Sequence, residues 1–151
     1  MKKKTTLVLL LSAAIFAACA KTGEPTTVAD ACQKNDGTLV AVEGFLLLPN
    51  FMNQEINPET ELTIYELFLA AQPDGKSQSI KTSVFGTRSN KTNRIAELPP
   101  EGYTQKDLLI FTDTGETVGS FDRVRITGEL SKNKIGNEKP CILKIEKIEK
   151  P

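Results

Sequence analysis

Val124-Arg125-Ile126-Thr127-Gly128-Glu129-Leu130 places an apolar residue or glycine at every second position, and Val40-Ala41-Val42-Glu43-Gly44-Phe45-Leu46 carries the same order. In both stretches Val comes first, a β-branched residue second, Gly third and Leu fourth along the alternating set. Successive side chains of a strand point to opposite faces, so this period describes a strand with one buried side. A glycine in mid-strand weakens the strand unless the backbone must bend or be approached closely there. Two such glycines mark the corners of a tightly curled barrel.

Outward from these two segments, short β-rich runs alternate with turn signals. Thr38–Leu48, Leu62–Ala71, Ser79–Phe85, Arg123–Leu130 and Cys141–Ile148 are expected as five principal strands, with Pro73-Asp74-Gly75 turning the chain between the second and third. Leu108–Thr112 and Glu116–Gly119 flank Asp113-Thr114-Gly115 as an accessory hairpin. No amphipathic helix of ten or more residues is expected. The fold class is therefore all-β.

The first residues read as an address. Lys2, Lys3 and Lys4 are followed by an apolar run from Leu7 to Phe16 and by Ala17-Ala18-Cys19. A bilayer-spanning helix needs about 20 apolar residues, whereas the core of a signal peptide needs about 7 to 15. The small-small-Cys ending resembles the lipobox of bacterial lipoproteins, with Phe16 where such boxes usually carry Leu. That resemblance implies cleavage before Cys19, a diacylglycerol on its sulfur and acylation of its new amino group. More than one acyl chain makes a stable anchor, since each buried methylene contributes about 0.8 kcal/mol. The alternative takes Ala18-Cys19-Ala20 as an ordinary secretory cleavage site and discards Cys19. On the lipoprotein reading, residues 1–18 are the signal peptide, residues 19–31 a lipidated flexible tether and residues 32–151 the barrel domain. Ala20 after the acylated Cys resembles the outer-membrane-sorted class, so the expected location is the cell envelope, facing the periplasm or exterior.

Removing residues 1–18 takes away three lysines and no acid, and leaves three more acids than bases. That balance disfavours general nucleic-acid binding, which draws its affinity from cations on phosphates. The chain has no His, so the commonest general base and metal ligand is missing, and neither a cofactor nor catalysis is expected. Apart from Cys19 the cysteines are Cys32 and Cys141, without C-x-x-C spacing. In an exported chain they suggest a structural disulfide, with two free thiols or a metal pair as the alternatives.

The strand Val124 to Leu130, a polar turn, and then Leu143, Ile145 and Ile148 resemble the last two strands of OB-folds, and Val40 to Leu46 resembles the first, which commonly curves at a glycine. From about Cys32 to Lys150 the chain is similar to the exported bacterial OB-fold family named for its likeness to tRNA anticodon-binding domains. That name describes ancestry of fold, not binding of tRNA. The resemblance implies a five-stranded Greek-key barrel in which the first strand lies antiparallel to the fourth. Cys32 and Cys141 would then meet at one rim, within the Cα separation of about 7 Å that a disulfide allows.

The resemblance also implies a ligand surface on the second and third strands and on the loops after the first and fourth. Candidate binding residues there are Tyr65 as a stacking aromatic, Lys81, Arg88, Lys91 and Arg94 around the third strand, and Lys132 and Lys134 in the last turn. The competing expectation is that these cations are solvated loop charges that protect strand edges. Phe45, Phe68, Phe85, Phe111 and Phe121 are expected in the core, and Phe51, Met52 and Ile56 folded back over the barrel opening. Asp113-Thr114-Gly115 matches the aspartic-protease triplet, but no second triplet exists to share its proton, and the segment reads as a turn. The expected role is a non-catalytic binding module, joined to the membrane through Cys19 and taking an envelope protein or glycan. The alternative is binding of single-stranded nucleic acid or another polyanion.

Overall fold

A computed structural model describes residues 22–50, 54–56, 63–88, 92–99, 101–132 and 140–151. Cys19, Phe51, Met52, Lys91 and Lys134 lie outside the described residues. The strands are β1 (Glu24–Thr26), β2 (Leu39–Leu47), β3 (Gln54–Ile56), β4 (Thr63–Ala70), β5 (Ser79–Thr87), β6 (Arg94–Ala96), β7 (Leu109–Phe111), β8 (Thr117–Gly119), β9 (Arg123–Ser131) and β10 (Ile142–Glu149). Among the described residues, one short helix, α1 (Val28–Ala31), and a 3-10 turn at Gln105–Asp107 accompany the strands.

β2, β9, β10, β5 and β4 close a five-stranded barrel, because β4 pairs with β5 as well as with β2. All neighbours run antiparallel except β5 and β10, which pair in parallel over Lys81–Ser83 and Ile142–Lys144. This is the OB-like Greek-key arrangement expected from the sequence. At the parallel seam the buried Thr82 hydroxyl donates to the Leu143 carbonyl over 2.6 Å, so closing the barrel leaves that side chain satisfied.

The two alternating stretches are neighbours in space. Val40 faces Gly128, Val42 faces Ile126 and Gly44 faces Val124 across the β2–β9 ladder. All six point inward and are buried. A Cβ on Gly128 would collide with the Lys144 backbone carbonyl, and one on Gly44 with that of Ala70. Glycine at these two corners is what lets the strands coil tightly enough to close.

The core joins the inward faces of all five barrel strands with Val28 and Ala31 of α1 and with Ile95, Leu98, Leu108, Ile110 and Val118 of the segment between β5 and β9. Each fully buried Leu or Ile contributes about 2 kcal/mol on area grounds. The β7–β8 hairpin forms where expected, with Gly115 at φ 83° in its turn. Asp113 serves as a turn residue whose N–H donates to the Ile148 carbonyl over 2.8 Å.

Cys32 and Cys141 form the disulfide, with Cα atoms 5.7 Å apart. They sit at the rim where Gly37 N–H donates to the Leu130 carbonyl over 2.8 Å and Leu130 N–H donates to the Thr38 carbonyl over 2.9 Å.

The tether boundary needs correction. Glu24–Thr26 pairs in parallel with Val40–Val42, and α1 follows at once, opened by the Thr27 hydroxyl accepting from Asp30 N–H over 3.1 Å. Val28 and Ala31 enter the core. Residues 24–31 are thus a folded strap, hidden from sequence reasoning because so few apolar residues carry it. Four aromatic expectations also fail: Phe45 and Phe85 stand half-buried at outward positions of β2 and β5, and Phe68 and Phe121 are exposed. Phe121 is 66% exposed in the turn between β8 and β9, and Phe68 is 37% exposed on β4; Ile56, expected to fold back, is exposed as well.

Candidate ligand-binding face

Alternation along β4 and β5 sends Tyr65, Leu67 and Leu69, with Ile80, Thr82 and Val84, into the barrel. The same alternation presents Ile64, Glu66 and Phe68, with Lys81, Ser83 and Phe85, on the outside. Across the ladder Ile64 faces Phe85, Glu66 faces Ser83 and Phe68 faces Lys81. Directly opposed side chains in such a ladder touch, so an aromatic stands at each end of a polar centre. Lys81 Nζ lies 2.5 Å from Glu66 Oε1, and exposed Lys144 of β10 stands beside Ser83.

Arg94 comes onto this face through an unusual residue before it. Asn93 has φ 54°, a left-handed conformation that Asn tolerates better than most residues. Its N–H donates to the Thr112 carbonyl over 3.3 Å, and its Oδ1 accepts from Ile148 N–H over 2.7 Å. So held, the chain sets the Arg94 guanidinium 4.7 Å from the centre of the Phe85 ring, a cation–π contact.

A hollow lies at each end of the strip. One of about 470 Å³ is lined by Ser83, Phe85, Arg94 and Lys144. The other, of about 400 Å³, is lined by Asn50, Phe68, Asp74, Ser79 and Gln105. Its wall is fixed by Gln105, whose amide imitates a neighbouring strand: Oε1 accepts from Leu48 N–H over 2.9 Å and Nε2 donates to the Leu48 carbonyl over 2.6 Å. The Tyr103 hydroxyl donates to the Pro49 carbonyl over 3.1 Å and pins the next residue.

The residues picked from the sequence divide sharply. Lys81 and Arg94 belong to this face. Tyr65 does not: it is 2% exposed, and its hydroxyl accepts from Leu98 N–H over 3.3 Å, so it is a core residue and cannot stack on a ligand. Arg88, beyond the end of β5, is held by both Glu97 oxygens at 3.0 and 2.8 Å; this hydrogen bonding and charge push its pKa above the usual guanidinium value. Lys132 lies past the row Lys81–Ile142–Ser131, two strands from Lys81, and its N–H donates to Asp36 Oδ1 over 2.7 Å. Lys91, Lys134 and Cys19 fall outside the described residues.

Phe68, Phe85 and Lys144 are the residues that sequence reasoning missed. Leu67-Phe68-Leu69-Ala70 is apolar throughout, so its alternation is silent. The parity of Phe68 becomes visible only if counted from polar Glu66, which shares its face.

No protein-family model matches the chain, and no curated protein matches it. The chemistry of the strip follows from its own side chains. Two partly exposed aromatic rings can cover a flat or apolar group, while Lys81, Arg94 and Lys144 present donors and Asp74 and Glu66 present acceptors.

Proposed function

We propose that this chain is a lipid-anchored protein of the bacterial cell envelope whose OB-like barrel is a non-catalytic binding module for a protein or glycan ligand. The anchor is Cys19, preceded by the cationic start and the apolar run of a lipoprotein signal. The Cys32–Cys141 bond supports export, since disulfides persist in oxidising compartments. The observation that carries the binding role is the outward strip on β4 and β5, where Phe68 and Phe85 flank Glu66, Ser83 and Lys81. The hollow beside Phe68, with Asn50, Asp74 and Ser79 around an exposed ring, favours a sugar that stacks on one face and hydrogen-bonds at its edges. Pull-down of the anchored protein from its native envelope tests this. Recovery of cell-wall fragments or of one stoichiometric protein, lost in Phe68→Ala, is the expected result; recovery unaffected by Phe68→Ala would remove the strip from the binding role.

A second reading is binding of a single-stranded nucleic acid or another polyanion. It draws on Lys81, Arg94 and Lys144 sharing the outer face with two aromatic rings. The acidic balance of residues 19–151 opposes it. Salt-sensitive retention of single-stranded DNA or RNA by the purified protein would support this reading, and its absence at low salt would end it.

A further inference from the structure

A groove of about 1120 Å³ lies on a different wall of the barrel. The strap from Gly23 to Val28 forms one side, and the outer faces of β2, β9 and β10 form the floor. Two cross-strand rows build that floor: Ala41, Thr127 and Lys147, then Glu43, Arg125 and Glu149. Arg123 lies one step further along β9, and Glu146 completes the acidic edge on β10.

Charges of both signs alternate here. Glu43 accepts from Arg125 Nε at 3.0 Å and Nη2 at 2.5 Å, and Arg123 Nη2 lies 3.1 Å from its other oxygen. Lys147 Nζ stands 2.6 Å from Glu149 and 3.2 Å from Asp113. Arg123 remains 61% exposed and meets Glu43 as an ion pair through one guanidinium nitrogen, so its fork still presents donors to another acceptor.

The strap also limits where this wall can face. An extended chain spans about 3.4 Å per residue, so four steps place Gly23 within about 14 Å of Cys19. On the lipid-anchored reading, which this inference requires, the strap side of the barrel is held beside the headgroup layer. A face with balanced, alternating charge matches a zwitterionic surface. A purely anionic one would call for a cluster of lysines and arginines.

We propose that the wall formed by the strap, β2, β9 and β10 is the membrane-facing side of the barrel, and that its groove takes a zwitterionic phospholipid headgroup. The phosphate meets Arg123, and the ammonium meets the carboxylates of Glu149 and Glu146. The β4–β5 strip, on another wall, is then left open to ligand.

The test uses the full-length acylated protein in vesicles of phosphatidylethanolamine and phosphatidylcholine, with the same protein in non-ionic detergent micelles as reference. Amide hydrogen exchange over residues 24–28 and 123–127 is expected to slow about threefold or more in the vesicles. Exchange over residues 64–70 is expected to be unchanged. Protection should shrink in phosphatidylglycerol vesicles and disappear in Arg123→Glu; Arg123→Gln, with a smaller charge change, should lose part of it. Acylated, vesicle-bound protein with equal exchange in both media overturns the orientation and leaves the anchor standing. A Cys19 that carries no acyl chain overturns the anchor, and the orientation with it.

Discussion

Cys32 and Cys141 join the approach to the first barrel strand to the approach to the last, with their Cα atoms 5.7 Å apart on one rim. The bond closes a loop of sequence separation 109. In the chain-entropy model such a cross-link stabilises by about 4 to 5 kcal/mol. Urea unfolding of the purified protein should therefore show a much lower midpoint with reductant, or in the double Cys→Ser variant. An unchanged midpoint would mean that the cross-link carries no stability.

The Gly128 corner tolerates no side chain. Because a Cβ there meets the Lys144 carbonyl, which belongs to a ladder and cannot swing aside, Gly128→Ala should cost about 1 to 3 kcal/mol or more. Gly119→Ala, whose Cβ would stand 3.4 Å from the Leu108 carbonyl, should stay within about 0.5 kcal/mol. Chemical denaturation of both variants checks the contrast; equal losses would show that close strand approach is not what requires glycine at 128.

Tyr65 and Phe68 should respond in opposite ways. Tyr65→Phe deletes the partner of Leu98 N–H and should lower stability by about 1 kcal/mol without altering retention on isolated cell-wall fragments. Phe68→Ala, at a partly exposed position, should spare the fold and weaken that retention. Melting curves and a co-sedimentation assay on the same two proteins separate the roles.

Glu43 supplies a pH signature. Hydrogen bonding from Arg125 is the largest influence and holds its carboxyl below the ordinary value; burial opposes it, and the charges of Arg125 and then Arg123 add to the lowering. A carboxyl depressed in the folded state adds stability above its unfolded pKa and loses that stability as pH falls through the folded value. NMR titration should find Glu43 ionising below the ordinary glutamate range, and Arg125→Gln should move it upward. A Glu43 that titrates normally in the unaltered protein would show that the pair is open in solution.

Much of the architecture was legible because it follows from local periodicity. The five barrel strands lie within two residues of the limits expected from alternation and turn residues. The candidate face was less legible. Lys81 could be placed from its strand, but Arg94 reaches the face through Asn93, whose side chain is held by Ile148, a partner 55 positions away. Nothing in the Thr-Asn-Arg-Ile run around residue 94 announces that hydrogen bond.

By itself the sequence determined the all-β class, the two glycine corners and a pair of cysteines suited to one bond, since each depends on the spacing of residues along a single strand or on a simple count. Only the tertiary structure decided that Phe68, inside an apolar run, points out, and that residues 24–31 are a strap instead of a tether. In an all-apolar run either parity hides hydrophobic surface equally well, and a three-residue strand is stable only against a neighbour already in place. Both outcomes are therefore set by the surface against which the segment packs.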